Sequence, residues 1–411
     1  MKTIKSIFAL ILCIVISLTV SIIPNAKTAE YQNKYPLIFV HGMFGWGKDE
    51  GINKIIPYWG ATTGSLIEYL DNKNIEAYDV SVGPMSSAWD NACEIYAQLT
   101  GTTVDYGEAH SKAHNHDRYG RTYTEPLFEN WGENKKVHLI GHSHGGQGVR
   151  LLAHLLTYGD ETEMKTTTDG TVSGLFTGGK ENRVESVTTI CSPNNGTASY
   201  NVGASMYWDY ALKATMNIYA TLMGRSFLNG VLVDFHLEQF GLTYIPGETT
   251  TDDLIPAMIK FAKTSDNVIT DLTFEGAQAL NKQIKTSKNI HYFCFTYDMT
   301  TEKHYLPLYA DTHLLLLTGL LLRIYGVPEN TSGLIFDESW LPTDGLVNTV
   351  SGENPIDEPA KTFDGNIESG LWNVMPRCKG DHGTPIGLMA DKDETHKFYD
   401  NLTEMLISLE D

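Results

Sequence analysis

The sequence predicts an α/β fold, a mostly parallel central sheet with helices on both faces. Strand-like runs at 36–40, 77–82, 136–140, 184–191 and 290–297 alternate with helical patterns, as strand–helix–strand units require. One run leads directly into a tight turn and a helix, in Val137-His138-Leu139-Ile140-Gly141-His142-Ser143-His144-Gly145-Gly146. With 411 residues, 42% of them hydrophobic, the chain is long enough to bury a large core. No internal repeat or low-complexity tract breaks the pattern.

The N-terminal segment stands apart from this fold. Lys2 and Lys5 precede an uncharged apolar run over 7–23, then Pro24 and Ala26-Lys27-Thr28-Ala29. That order reads as a secretory signal peptide over 1–29. A single domain over 30–411 is then expected outside the cell, with no transmembrane segment once the signal is removed. The formal charge of −20 argues against nucleic acid and anionic membrane surfaces as partners, since both demand lysine and arginine. Of the five cysteines, Cys13 lies in the N-terminal apolar run, and the other four, Cys93, Cys191, Cys294 and Cys378, are scattered too widely for a disulfide scaffold and are expected as free thiols.

After the first strand comes His41-Gly42-Met43-Phe44-Gly45-Trp46-Gly47, whose glycines let the chain turn amides inward. An insertion over about 58–123 follows and carries Asp90, His110, His114 and His116. The motif G-x-S-x-G next holds Ser143 between a strand and a helix, a sharp turn that lifts a serine hydroxyl above a parallel sheet. Behind it Val149, Leu152, Ala153 and Leu156 form one apolar helical stripe. The backbone N–H of His144, the residue after the serine, and that of Met43 are the candidate oxyanion donors. From about 197 to 263 the chain is rich in Met, Tyr, Leu and Phe, with a helical pattern over 206–223. It reads as a mobile apolar lid, with an ordinary buried helix pair as the alternative.

A serine nucleophile needs a base, and the base needs an acid, in the order Ser, Asp or Glu, His. Asp344 lies in a turn between apolar segments and His382 in a glycine-flanked loop. Asp337, Asp364 and Asp381 are rival acids and His396 a rival base, and spacing does not rank them. Asp90, His110 and His116 have the chemistry of a zinc site.

These residues resemble the secreted, zinc-containing thermoalkalophilic lipases of bacteria, an α/β-hydrolase family. The likeness runs from about residue 35 to the C-terminus. It rests on Val40-His41-Gly42 with Gly45-Trp46-Gly47, Val82-Gly83-Pro84 with Trp89-Asp90, Thr103-Val104-Asp105-Tyr106-Gly107, Gly120-Arg121-Thr122-Tyr123 and Asp344-Gly345-Leu346-Val347-Asn348-Thr349-Val350-Ser351. The resemblance implies a triad of Ser143, Asp344 and His382. It also implies a structural zinc on Asp90, His110, His116 and Asp266, with His114 outside the set, and a lid in the stretch after Thr197. Three departures stand out. His144 replaces the family's glutamine, Met43 replaces its oxyanion-loop phenylalanine, and Thr384 and Met389 stand where acidic side chains bind calcium. The calcium site is therefore expected to be absent.

The expected function is hydrolysis of acyl esters such as triacylglycerols through an acyl-enzyme, at a lipid–water or insoluble-ester interface, with aliphatic polyesters as a further substrate. Two other readings stand beside it. One is a zinc-dependent hydrolase using the Asp/His cluster; the other is a non-catalytic binding protein on a hydrolase scaffold.

Overall fold

A computed structural model describes residues 31–132, 135–199, 234–241, 251–261, 263–300, 334 and 336–410. The expected signal peptide and the helical pattern at 206–223 lie outside the described residues, as does most of the expected lid.

Seven strands form one parallel sheet: β1 (Leu37–Val40), β2 (Ala77–Val80), β5 (Val137–His142), β6 (Val184–Ile190), β7 (His291–Phe295), β9 (Ala360–Thr362) and β10 (Trp372–Val374), in the order β2-β1-β5-β6-β7-β10-β9. The central strands β1, β5 and β6 are buried along their whole length, as a parallel sheet covered on both faces requires, although β6 carries Glu185, Ser186, Thr188 and Thr189. Their side chains still divide between two faces. Ile38 and Val40 join the core under α2 (Ala88–Thr100) and α4 (His144–Tyr158). Leu37 and Phe39 join the opposite core with Trp59, with Leu66 and Leu70 of α1 (Leu66–Asn72), and with Tyr399, Leu402 and Leu406 of α9 (Lys392–Ile407). The stripe Val149, Leu152, Ala153 and Leu156 is fully buried on α4.

Beside the main sheet stand an antiparallel pair, β3 (Thr103–Asp105) with β4 (Tyr119–Thr122), and a parallel pair, β8 (Tyr297–Asp298) with β11 (Cys378–Lys379). Helices α3 (Glu108–His114), α5 (Glu161–Thr166), α6 (Thr251–Phe261), α7 (Val268–Leu272) and α8 (Phe274–Gln283) complete the described α-helices, with single 3-10 turns between elements.

Several boundaries differ from expectation. The run at 77–82 stops pairing at Val80, because Gln98 Oε1 and His41 Nε2 accept the next two amides in place of a strand. The run at 184–191 ends at Ile190, where Cys191 turns left-handed at φ 51°. The run at 290–297 divides: β7 stays in the main sheet and β8 leaves it to pair with β11. The insertion at 58–123 is not one excursion, since it contributes β2 and α2 to the central architecture. The described cysteines are all unpaired.

Candidate active site and metal cluster

β5 delivers Ser143 to the carboxyl edge of the sheet. Ser143 sits at φ 56° and ψ −130°, a strained conformation that costs about 1–3 kcal/mol and persists only where the surroundings hold it. Its amide donates to Ile190 O at 2.9 Å and its carbonyl accepts from Gly146 N at 3.0 Å. The flanking glycines are sterically required. A Cβ on Gly141 would lie 2.4 Å from Gly145 O, and one on Gly145 would lie 2.4 Å from His41 O. Gly42 likewise lets the loop after β1 approach the serine, since a Cβ there would lie 2.6 Å from Ser143 Cβ.

The structure pairs His382 with Asp344 and places Ser143 and His382 on one cavity. His382 Nδ1 donates to Asp344 Oδ2 at 2.8 Å. The His382 amide donates to Asp344 O, also at 2.8 Å. Asp344 Oδ1 accepts the amides of Leu346 and Val347 at 2.9 and 2.7 Å, so the carboxylate is fixed by its own turn. Cys191 also contacts it; burial, and then the Asp344 charge, hold that thiol well above its usual range. Ser143 and His382 line one cavity of about 250 Å³ with Met43, His142, Tyr58 and apolar side chains including Leu272, Leu346 and Ile386.

The rivals have other duties. Asp337 caps Ser339, Asp364 accepts from Asn366, and Asp381 accepts the amides of Gly383 and Thr384. His396 stacks on Tyr69 at 3.7 Å.

Sequence reasoning did not single out Tyr58 or the role of His142. His142 Nε2–H donates to His382 O at 2.9 Å, and Tyr58 O–H donates to His142 Nδ1 at 2.7 Å. The Tyr58 oxygen in turn accepts Gly42 N–H at 3.0 Å. This relay has one consistent proton assignment, because a carbonyl only accepts and an amide only donates. It ties the His382 loop to the loop that carries Met43. Burial holds His142 well below the usual histidine range, so it stays neutral.

Asp90, His110, His116 and Asp266 also converge, with one ligand atom from each lying within 4.8 Å of the others. His110 Nε2 is 3.1 Å from Asp266 Oδ2 and 3.5 Å from Asp90 Oδ1. His116 donates Nδ1–H to Asp117 O at 2.8 Å, which turns its Nε2 toward the carboxylates. That Nε2 lies 3.2 Å from Asp266 Oδ2, yet with the ring proton on Nδ1 it has none to share, and neither it nor Asp90 Oδ1 makes a well-formed hydrogen bond, an arrangement that is costly unless a cation completes it. Gln239 Nε2 holds the other Asp90 oxygen at 2.7 Å, and Trp89 stacks on His110, supports of the kind that orient metal ligands. Burial, and then the adjacent Asp266, push the Asp90 carboxyl up to about 6, so two carboxylates packed this closely call for positive charge. The donor set fits zinc. His114 is half-buried with its ring tilted against His110.

At the expected calcium position, Thr384 Oγ1 donates to Asp381 and the Met389 amide donates to Thr62 Oγ1. His144 begins α4 and is buried. No helix among the described residues is long and apolar enough to cross a membrane.

The family model described as "Lipase-like, C-terminal domain" matches residues 33–411. A lipase of Staphylococcus hyicus is 36% identical over 394 residues, covering 92% of this chain and 58% of the relative. The chain therefore spans rather more than half the length of that curated relative. The crystal structure of Staphylococcus hyicus lipase superimposes with TM-score 0.78 at 32% identity, over 95% of this chain and 99% of that one. The structure of EstA from Clostridium botulinum gives TM-score 0.78 at 34% identity, over 93% of this chain and 89% of that one. The fold is that of bacterial lipases of the α/β-hydrolase type, and the chain belongs to the lipase-like C-terminal-domain family.

Proposed function

We propose that the chain is a secreted carboxylic-ester hydrolase of the lipase or esterase kind, working through Ser143, His382 and Asp344. The observation that carries this is the Asp344–His382 hydrogen bond of 2.8 Å beside the cavity that Ser143 also lines. Ser143 Oγ attacks the ester carbonyl carbon while His382 Nε2 takes its proton. The amides of Met43 and His144 stabilise the oxyanion as the C–O bond becomes single. Collapse breaks the bond to the alkoxide, which leaves with the proton from His382 and yields acyl-Ser143. Water, deprotonated by His382, then releases the acid and restores the serine. Asp344 holds the imidazole in the tautomer that this sequence needs.

The cavity wall of Met43, Leu272, Leu346, Val347, Ile386 and Leu388 suits an acyl chain better than a charged acid. Acyl esters such as triacylglycerols are the substrate class we infer, at a lipid–water or insoluble-ester interface, with aliphatic polyesters as an extension tested by release of soluble products from film. Export rests on the signal-like segment over 1–29 and is tested by N-terminal sequencing of protein recovered from culture medium.

Asp90, His110, His116 and Asp266 would hold a zinc ion whose chemistry is structural, tying α2, α3 and the segment before α7 together. Zinc-dependent hydrolysis is not favoured, since four protein ligands fill a tetrahedron and none of the four lines the cavity. Calcium has no role in this reading.

The test is a p-nitrophenyl ester series from acetate to palmitate on wild type and Ser143→Ala. Turnover by wild type, with a loss of at least about 10⁴-fold in the variant, is expected. Equal rates in the two would overturn the proposal.

A further inference from the structure

We propose that Asp271 is a positioning residue for the nucleophile turn, acting through the side chain of His144. The proposal rests on the ester-hydrolase reading above and adds to it a residue that neither motif nor spacing marks.

His144 is the first residue of α4, and its amide is the peptide N–H that follows the strained Ser143. The direction of that N–H depends on ψ of Ser143 and φ of His144, so whatever holds the His144 side chain also constrains the donor. The ring is 1% exposed and bonded at both nitrogens. Nε2–H donates to Asp271 Oδ2 at 3.2 Å, since a carboxylate only accepts. Asn91 Nδ2 of α2 donates to Nδ1 at 3.4 Å.

Asp271 is well placed as an anchor. Its Oδ2 also accepts the Ala88 amide at the start of α2 at 2.7 Å. Its backbone carbonyl accepts Gln147 Nε2, from the first turn of α4, at 3.1 Å. α7 itself is fixed at its N-terminal end by Val268 N–H to Met85 O at 3.0 Å, and at its C-terminal end Leu272 O accepts Thr197 N–H at 3.0 Å. One aspartate thus joins α2, α4 and α7 at the turn that carries Ser143, and the next residue, Leu272, lines the cavity. His142 and His144, the two neighbours of the serine, are each hydrogen-bonded at both ring nitrogens. This is the over-determination that a strained serine requires.

A strut of this kind acts on the transition state rather than on ester binding, because the oxyanion donor matters most when charge develops. The test compares wild type, Asp271→Ala, Asp271→Asn, His144→Phe and the double variant Asp271→Ala/His144→Phe on a soluble short-chain ester. Asp271→Ala is expected to lower kcat about tenfold, a fraction of the 10²–10³-fold attached to a whole oxyanion donor, with KM within about twofold. Asp271→Asn, which keeps one oxygen acceptor, is expected to recover most of kcat. His144→Phe, which keeps a ring but no donor, lowers kcat on its own, and the double variant is expected to be no slower than the slower single, because both break one contact. The proposal is overturned if Asp271→Ala lowers melting temperature with kcat unchanged, if the loss falls on KM, or if the two losses multiply.

The contact is also read without turnover. A slowly exchanging His144 Nε2–H proton is expected in the NMR spectrum of wild type and its loss in Asp271→Ala; its absence from wild type contradicts the strut. Wild type that retains this proton yet hydrolyses no ester contradicts the hydrolase reading and leaves the strut intact.

Discussion

Asp344 and His382 are joined twice, once through carboxylate and imidazole and once through backbone, each at 2.8 Å. The second bond fixes the loop, so the side-chain bond needs no search for its partner. Asp344→Asn preserves the backbone bond and most of the turn, but its amide favours the other imidazole tautomer. We expect kcat to fall about 10⁴-fold with the melting temperature nearly unchanged, measured by p-nitrophenyl butyrate turnover and thermal unfolding. A large drop in melting temperature would assign Asp344 to folding instead.

Tyr58→Phe removes the hydroxyl that serves both Gly42 N–H and His142 Nδ1. An amide and an imidazole nitrogen are then left buried without partners, at about 1–3 kcal/mol each. The variant is expected to lose roughly 5–10 °C in melting temperature and to lower kcat more than it raises KM, since the oxyanion loop loosens. A KM effect alone would contradict this role.

Removal of metal separates structural from catalytic zinc. Metal analysis is expected to find one zinc per chain. Chelation is expected to lower the melting temperature by roughly 5–10 °C, with activity lost only as the fold loosens and recovered with zinc but not calcium. Immediate loss of turnover with unchanged unfolding would support metal chemistry.

Stability is expected to decline on both sides of neutrality. Burial lowers His142 and takes His154 to about 4. The folded state therefore resists protons that the unfolded chain binds below about 6.5, and stability is lost as pH falls through that value toward 4. His236 is the opposite case. Burial and then Arg121 oppose its charge, but Glu50 and Glu94 outweigh them and raise it to about 10. Its contribution is full below about 6.5 and is lost as pH rises to 10. Melting temperature against pH checks both arms, and His154→Gln should flatten the acid one by a few degrees.

The Ser143 turn was legible because its determinants are local: a strand, two glycines with no room for a Cβ, and an apolar stripe one helix long. Asp344 and His382 were legible only as candidates. Asp337, Asp364 and Asp381 sit in loops of similar composition and, like Asp344, accept amides of their own turns; what separates Asp344 is that its second oxygen meets His382, a contact made only by the tertiary fold. Asp266 was reached by resemblance alone, since its partners lie some 150 residues away and leave no mark on the residues beside it. Tyr58 and Asp271 were not recognised, because a buried tyrosine or aspartate acquires meaning only through tertiary contacts. The last two strands of the sheet, β9 and β10, escaped for a different reason: three residues each are too few for a period to show.

The most direct test of the central claim is reaction with a p-nitrophenyl alkylphosphonate, followed by intact mass and peptide mapping. Attack by Ser143 Oγ on phosphorus should expel one p-nitrophenol and leave one phosphonyl group per chain, on Ser143, with activity lost in proportion. A fully active protein that carries no adduct at Ser143, or carries it elsewhere, would contradict the account.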